Sequence, residues 1–366
     1  MIYLWAGDVI ISGFIVDLKM GYFRDNIEKM AGYVPGFQPK AAEVVKLNTN
    51  ENPYPPSPAV IDVLRNLEAE KLRRYPDPVG TEFREAAGKV NGLGAEYIMC
   101  CNGGDELLSI AVRSFCDKTR TMAYPSPTYS LYPVLAELDE VPILEIPFGD
   151  DYSLPAKLFN TGAALTIVCN PNAPSGTLVG CGELGKLAAS LKGILLVDEA
   201  YVDFSPATCV ELVKKFDNVI ILRSMSKGYS LAGLRFGYAI AQPSLIDGMM
   251  KVKDSYNTDA IAIAAATAAM KDQAYLKTNT QKVIAERKRI TEELRGLGFE
   301  VGDSFANFVL AQYSGDSAAW IYDKLVERNI YVRYFKLDGL FNKLRITVGT
   351  VQQNDKLLEA LKQILA

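Results

Sequence analysis

Short apolar runs that each stop at a polar residue mark the first two thirds of the chain. Leu165 to Cys169 ends in the turn-rich Asn170 to Gly176, Gly193 to Val197 ends at Asp198 and Glu199, and Val219 to Leu222 ends at Arg223 and Ser224. Apolar runs this short and this continuous fit parallel strands buried on both faces. They alternate with helical patterns over about two hundred residues, which predicts an α/β fold with helices covering both sides of a sheet. Ligands in open α/β sheets sit at the carboxyl ends of the strands, so the polar residues that end these runs are the first place to look for chemistry.

From Pro243 to Leu297 the pattern becomes helical and long. The Ala-rich Ala260 to Ala269 is followed by the charged Gln281 to Arg295, the signature of a connector between two domains. Strand-like pieces return at Asn307 to Ala311, Tyr331 to Tyr334 and Leu344 to Val348, around a helical Ser317 to Arg328, and a helix from Gln353 closes the chain. This predicts an N-terminal extension and arm over 1–45, a large domain over 46–260 and a smaller α+β domain over 261–366. The apolar stretch Val9 to Val16 is broken by Ser12 and Gly13, flanked by Asp8 and Asp17, and has no basic segment before it. It does not read as a signal peptide. The expectation is that the natural chain starts at Met20, with residues 1–19 as an upstream extension.

Composition narrows the chemistry. The 366 residues contain no histidine, so no Ser-His-Asp triad, Cys-His dyad or His-ligated metal site is available. Acid and base work falls to Lys, Tyr, Asp, Glu or a cofactor, and no metal is expected. The net charge of −4 carries no footprint for nucleic acid, and no apolar stretch is long enough to cross a membrane. Cys100, Cys101, Cys116, Cys169, Cys181 and Cys209 form no CxxC pair. They read as small buried hydrophobes in a reducing, cytoplasmic compartment rather than as a disulfide framework.

Four groups of residues can carry chemistry. Lys227, in Ser224-Met-Ser-Lys-Gly228, follows a buried strand; desolvated there, it becomes a nucleophile toward carbonyls, whereas in the open it is a solvated loop lysine. Asp198 ends another buried strand, with Tyr201 three residues on. The pair can hold a protonated ring nitrogen and a phenolic oxygen, and Asp198 with Glu199 can equally be a metal pair or a helix cap. Asn102-Gly-Gly-Asp-Glu106 before a helix offers backbone N–H groups to a phosphate, or is simply a turn and cap. Arg235 can pair a phosphate or form a surface ion pair. Arg345 and Arg333 lie in apolar strands, where each needs an anion, either from a ligand or from an internal carboxylate.

Taken in order, these segments resemble the fold-type I aminotransferases that use pyridoxal phosphate (PLP), and within them the histidinol-phosphate aminotransferases. The likeness runs from about Asp25 to the C-terminus. Its segments are Tyr33-Val-Pro-Gly36, Lys46-Leu-Asn-Thr-Asn-Glu-Asn-Pro53, Arg74-Tyr-Pro76, Asn102-Gly-Gly-Asp-Glu106, Pro127-Thr-Tyr129, Asn170-Pro-Asn-Ala-Pro-Ser-Gly176, Asp198-Glu-Ala-Tyr201, Ser226-Lys-Gly-Tyr-Ser-Leu-Ala-Gly-Leu-Arg235 and Leu344-Arg-Ile-Thr-Val-Gly349. The resemblance implies an aspartate-aminotransferase-like fold: a large domain with a mainly parallel seven-stranded sheet, plus the smaller α+β domain.

The resemblance also implies roles. Lys227 binds PLP covalently and moves a proton during exchange, Asp198 pairs with the ring nitrogen, Tyr201 donates to the ring's phenolic oxygen, and Tyr129 stacks on the ring. Gly104, Asp105, Ser224, Ser226 and Arg235 hold the phosphate, which Tyr75 reaches from the partner subunit of a homodimer, and Glu106 belongs to the cofactor-binding set. Arg345 clamps a substrate carboxylate and Arg333 the phosphate end; Tyr33 from the neighbouring subunit and Asn307 complete the pocket. The family pattern has an asparagine directly before the proline of Asn-Pro-Thr-Gly, but Ala173 stands there, so the second ring-oxygen contact passes to Asn172. The implied reaction converts L-histidinol phosphate and 2-oxoglutarate to imidazole acetol phosphate and L-glutamate. Threonine-phosphate decarboxylases, aromatic aminotransferases and non-catalytic PLP-domain regulators share much of this set.

Overall fold

The computed structural model describes residues 8–11, 14–17, 22–33, 36–39, 43–149, 151–315 and 317–366. Asp8–Ile11 and Phe14–Asp17 pair as antiparallel strands, with Asp8 opposite Asp17 and Ile11 opposite Phe14. The expected start at Met20 falls outside the described residues.

Seven strands form the main sheet: β1 (Ile98–Cys101), β2 (Met122–Ser126), β3 (Ile143–Pro147), β4 (Leu165–Cys169), β5 (Ile194–Asp198), β6 (Val219–Ser224) and β7 (Gly237–Ala241). Their order is β1-β7-β6-β5-β4-β2-β3. Neighbours from β6 to β3 run parallel, and β7 is antiparallel to both β1 and β6. Side chains alternate between two helix-covered cores: Leu195 and Val197 face one, Leu196 the other, and β6 divides Val219 and Ile221 from Ile220 and Leu222 in the same way. Both faces being buried explains why these strands read as unbroken apolar runs.

Register brings the polar strand ends together. Cys169 lies opposite Asp198, and Asp198 opposite Leu222, two residues before Ser224. The antiparallel β7 begins at this same edge, with Gly237 opposite both Ser224 and Cys101. Arg235 therefore sits beside Asn102 to Asp105, more than a hundred residues away in sequence. A Cβ at Gly237 would lie 2.8 Å from the Gly103 carbonyl carbon, so only glycine permits this approach.

Phe299–Val301 (β8), Phe308–Tyr313 (β9), Arg333–Tyr334 (β10) and Lys343–Thr347 (β11) form a second, antiparallel sheet in the order β8-β9-β11-β10. Helices Gln273–Gly296, Ala318–Val326 and Val351–Leu365 share its core. The strand expected over Tyr331 to Tyr334 divides at Val332. Ile330–Tyr331 pairs in parallel with Val45–Lys46, and Arg333–Tyr334 becomes the sheet's edge. That parallel pairing, extended by Leu47 N–H to the Tyr331 carbonyl at 2.7 Å, carries the segment 47–53 across to the main sheet.

The cysteines require a correction. Cys181, at the start of helix Cys181–Ser190, and Cys209, ahead of a short helix, are disulfide-bonded with Cα atoms 5.3 Å apart. Their separation of 28 residues gives no local pairing motif; the packing of two connections on one side of the sheet makes them neighbours. Cys100, Cys101 and Cys169 are free and buried, as expected of small apolar residues.

Candidate active site

Lys227 lies in the tight connection between β6 and β7. The Met225 N–H donates to the Phe236 carbonyl at 3.0 Å, and the Leu231 N–H to the Met225 carbonyl at 3.0 Å. Asn52 Nδ2 donates to the carbonyls of Lys227 and Gly228, each at 3.0 Å, pinning the loop from the opposite side. Gly228 packs against the Asp203 carboxylate with no room for a side chain. The Lys227 ammonium donates to the Thr49 carbonyl at 3.2 Å. Desolvation, reinforced by the nearby Arg345 charge, pulls its pKa down to about 8. In cofactor-free protein an amine-directed acylating reagent is therefore expected to label Lys227 with a midpoint near pH 8, about two units below exposed lysines. Peptide mass spectrometry across a pH series measures this, and a midpoint at 10 would contradict a desolvated amine.

Asp198 is buried at the end of β5. Its Oδ1 accepts from the Ala200 N–H at 3.0 Å and its Oδ2 from the Tyr132 hydroxyl at 2.8 Å. Burial pushes its pKa up to about 6, and the Tyr132 hydrogen bond opposes that rise. The turn-capping role is thus real but engages one oxygen. Tyr132 was not singled out by the sequence; it stands one helical turn from Tyr129, and the two rings meet edge to face at 5.7 Å.

The turn between β1 and helix Gly103–Phe115 meets Arg235. Asp105 accepts from Arg235 Nη2 at 3.0 Å and from the Tyr129 hydroxyl at 3.2 Å, and Arg235 Nη1 reaches Ser226 Oγ at 3.4 Å. Ser224 Oγ accepts from the Ser226 N–H at 3.2 Å. Gly103 has φ +82°, and a Cβ there would press on the Arg235 guanidinium. Glu106 is turned elsewhere: its carboxylate accepts from the Asn102 N–H at 2.5 Å and from Asn257 Nδ2 at 2.7 Å. A carboxylate so held braces the helix start, and its charge suits no phosphate.

Tyr201 and Arg345 close the site on the small-domain side. The Tyr201 hydroxyl accepts from Asn50 Nδ2 at 3.0 Å, and its ring meets Phe308 edge to face at 5.1 Å. Burial raises the phenol to about 12 against the pull of Arg345 and Asn50. Asn307 Nδ2 donates to the Asn50 carbonyl at 2.9 Å. Arg345 Nη2 donates to the Asn48 carbonyl at 3.0 Å, while its buried Nε and the buried Asn307 Oδ1 have no partner. Arg333 lies opposite Arg345 in register, and both guanidiniums sit over the Phe335 ring at 5.3 and 5.4 Å. Among the described residues neither arginine has a carboxylate partner.

Two expected contacts turn out differently. Asn172 cannot donate to a ring oxygen: its two N–H bonds go to the Pro127 carbonyl at 3.1 Å and Ser175 Oγ at 2.9 Å, and its Oδ1 accepts from Thr128 at 2.8 Å. Tyr33 needs no second subunit to reach the site, because its ring lies 6.1 Å from Tyr129 within the same chain. Arg24 and Asn26 anchor that arm by donating to the Leu138 and Glu137 carbonyls at the end of helix Leu131–Leu138. Tyr75 is exposed and stacks on Tyr256 at 4.5 Å.

A desolvated amine, a buried acid with an elevated pKa, a glycine-lined helix start beside an arginine, and orphaned buried polar atoms converge here. That donor set fits a phosphorylated pyridine aldehyde: the amine for its carbonyl, the acid for its ring nitrogen, and the helix start with Arg235 for its phosphate. A family model described as aminotransferase class I and II matches residues 42–361. Histidinol-phosphate aminotransferase 1 of Trichormus variabilis is 49% identical over 346 residues, 94% of this chain and 99% of the relative. The protein of the same name from Nostoc sp. is 49% identical over 94% of this chain and 98% of its own length. The crystal structure of histidinol-phosphate aminotransferase from Sinorhizobium meliloti in complex with pyridoxal-5'-phosphate superposes with a TM-score of 0.85 at 26% identity, covering 94% of this chain and 98% of that one. The chain belongs to the class I and II aminotransferases, PLP-dependent enzymes of fold type I.

Proposed function

We propose that the chain transfers the amino group of L-histidinol phosphate to 2-oxoglutarate, giving imidazole acetol phosphate and L-glutamate. The observation that carries this reading is the adjacent pair Arg345 and Arg333, neither neutralised by a carboxylate among the described residues. Two facing cations suit substrates that bring a phosphate dianion in one half-reaction and carboxylates in the other. The relatives named for this reaction support the assignment.

PLP, when bound, supplies the electron sink that acidifies the substrate's Cα–H bond. With PLP present Lys227 would hold it through its amine and, as a neutral amine, would take the substrate's Cα proton and return it as an ammonium, which its depressed pKa permits near neutral pH. Asp198 holds positive charge on the ring nitrogen, and Tyr132 keeps its carboxylate aimed. Tyr201 donates to the ring oxygen, and Arg235 with the Gly103–Asp105 backbone receives the phosphate. Tyr75, exposed beside Tyr256, completes this cradle from a second copy in a homodimer.

The direct test supplies purified protein with L-histidinol phosphate and 2-oxoglutarate and measures glutamate. Release of carbon dioxide from threonine phosphate without transamination would instead select the decarboxylase reading. Arg333→Gln is expected to raise KM for histidinol phosphate about 10- to 100-fold, the loss of one charge-assisted contact. Steady-state kinetics checks it, and an unchanged KM would remove Arg333 from the substrate site.

A further inference from the structure

We propose that Asn50 is a positioning residue that aims the Tyr201 hydroxyl hydrogen into the active site. This rests on the reading of Tyr201 as the donor to the cofactor's phenolic oxygen. Asn50 is buried and has φ +56°, a left-handed conformation that asparagine adopts more readily than other side chains. Its amide is oriented by Thr347: the Thr347 hydroxyl accepts from the Asn50 N–H at 3.0 Å and donates to Asn50 Oδ1 at 3.0 Å. Nδ2 is thereby left facing Tyr201, to which it donates at 3.0 Å. The Asn50 carbonyl accepts from Asn307 at 2.9 Å, so all four polar groups of the residue are engaged.

A phenol oxygen that accepts an amide N–H on one side sends its own hydrogen elsewhere. The accepted bond also stabilises negative charge on that oxygen and so makes the hydroxyl a stronger donor. This matters more here than where a second side-chain amide helps. Ala173 has only a methyl group, and both Asn172 N–H bonds are taken by Pro127 and Ser175. Tyr201 carries the ring-oxygen contact, and Asn50 sets its direction.

The test titrates visible absorbance against pH for the PLP-loaded full-length protein, comparing wild type, N50G, Y201F and the double variant. Glycine keeps the left-handed backbone and removes only the amide. Weaker donation to the ring oxygen destabilises the deprotonated cofactor, so the midpoint moves up. N50G is expected to raise it by about one pH unit, Y201F by at least as much, and N50G/Y201F by no more than Y201F alone. N50D, of the same shape but able only to accept from the phenol, is expected to raise it further than N50G and decides the matter if N50G loads cofactor poorly. An unmoved midpoint in both Asn50 variants, or an Asn50 shift that persists undiminished on the Y201F background, overturns the role of Asn50. An unmoved midpoint in Y201F overturns the reading of Tyr201 and this inference with it.

Discussion

Lys227→Ala is expected to lower amino-group exchange by about 10⁴-fold, the upper range for removal of a positioned acid–base group. Lys227 stands in for two functions that no neighbour can assume. In the proposed mechanism its amine, held desolvated at the Thr49 carbonyl, is the nucleophile and also the base near Cα. Arg345 is engaged with Asn48, Arg235 with Asp105 and Ser226, and Asp198 with Tyr132 and Ala200. Glutamate formation measures the loss, and borohydride treatment followed by peptide mapping shows whether cofactor is fixed to the chain. The alanine variant retains Asp198, Tyr201 and Arg235, so it still takes up PLP without a covalent bond. Undiminished exchange, or cofactor fixed equally to another lysine, would remove Lys227 from the chemistry.

Asp198→Asn carries the second-largest expected effect, a fall in exchange on the order of 10³-fold, as expected for taking one partner from a buried charge pair. Asparagine keeps the shape but has one acceptor oxygen for the two donors Tyr132 and Ala200, and it offers no charge to a ring nitrogen. The same substitution should stabilise the cofactor-free protein. With a folded pKa of about 6 against an ordinary 3.8, Asp198 binds more protons folded than unfolded between those values. Stability therefore falls as pH rises through this window. Cofactor-free D198N should melt above cofactor-free wild type at pH 7, with the gap closing below pH 4. Thermal denaturation across that range measures it, and a constant gap would mean that the buried carboxylate is not ionised at neutral pH.

Lys227, Asp198 and Arg235 were legible because each combines a chemically distinctive side chain with a strong local signal, the end of a buried strand or the approach to one. Asn50 and Tyr132 were not. Asn50 lies in a quoted segment, but its link to Tyr201 spans 151 residues and that to Thr347 spans 297. Tyr132 looked like an ordinary helix residue until its hydroxyl met Asp198, 66 positions on. Asn172 erred in the opposite direction: the right residue type stood one place from the family position, and only its completed hydrogen bonds showed that it had nothing left to donate.

The sequence by itself determined the class of fold, because strands buried on both faces must be apolar at every position and helices between them must carry a repeating stripe. It also determined the cast of reactive groups, since a chain without imidazole leaves few side chains able to move a proton. Tertiary structure alone decided which of these meet. The antiparallel β7 brings Arg235 to Gly103, the split at Val332 lays residues 47–53 over the site, and helix packing joins Cys181 to Cys209. The physical reason is that burial is encoded residue by residue in hydrophobicity. A hydrogen bond between distant groups depends on register and crossing, which depend on the whole packed core.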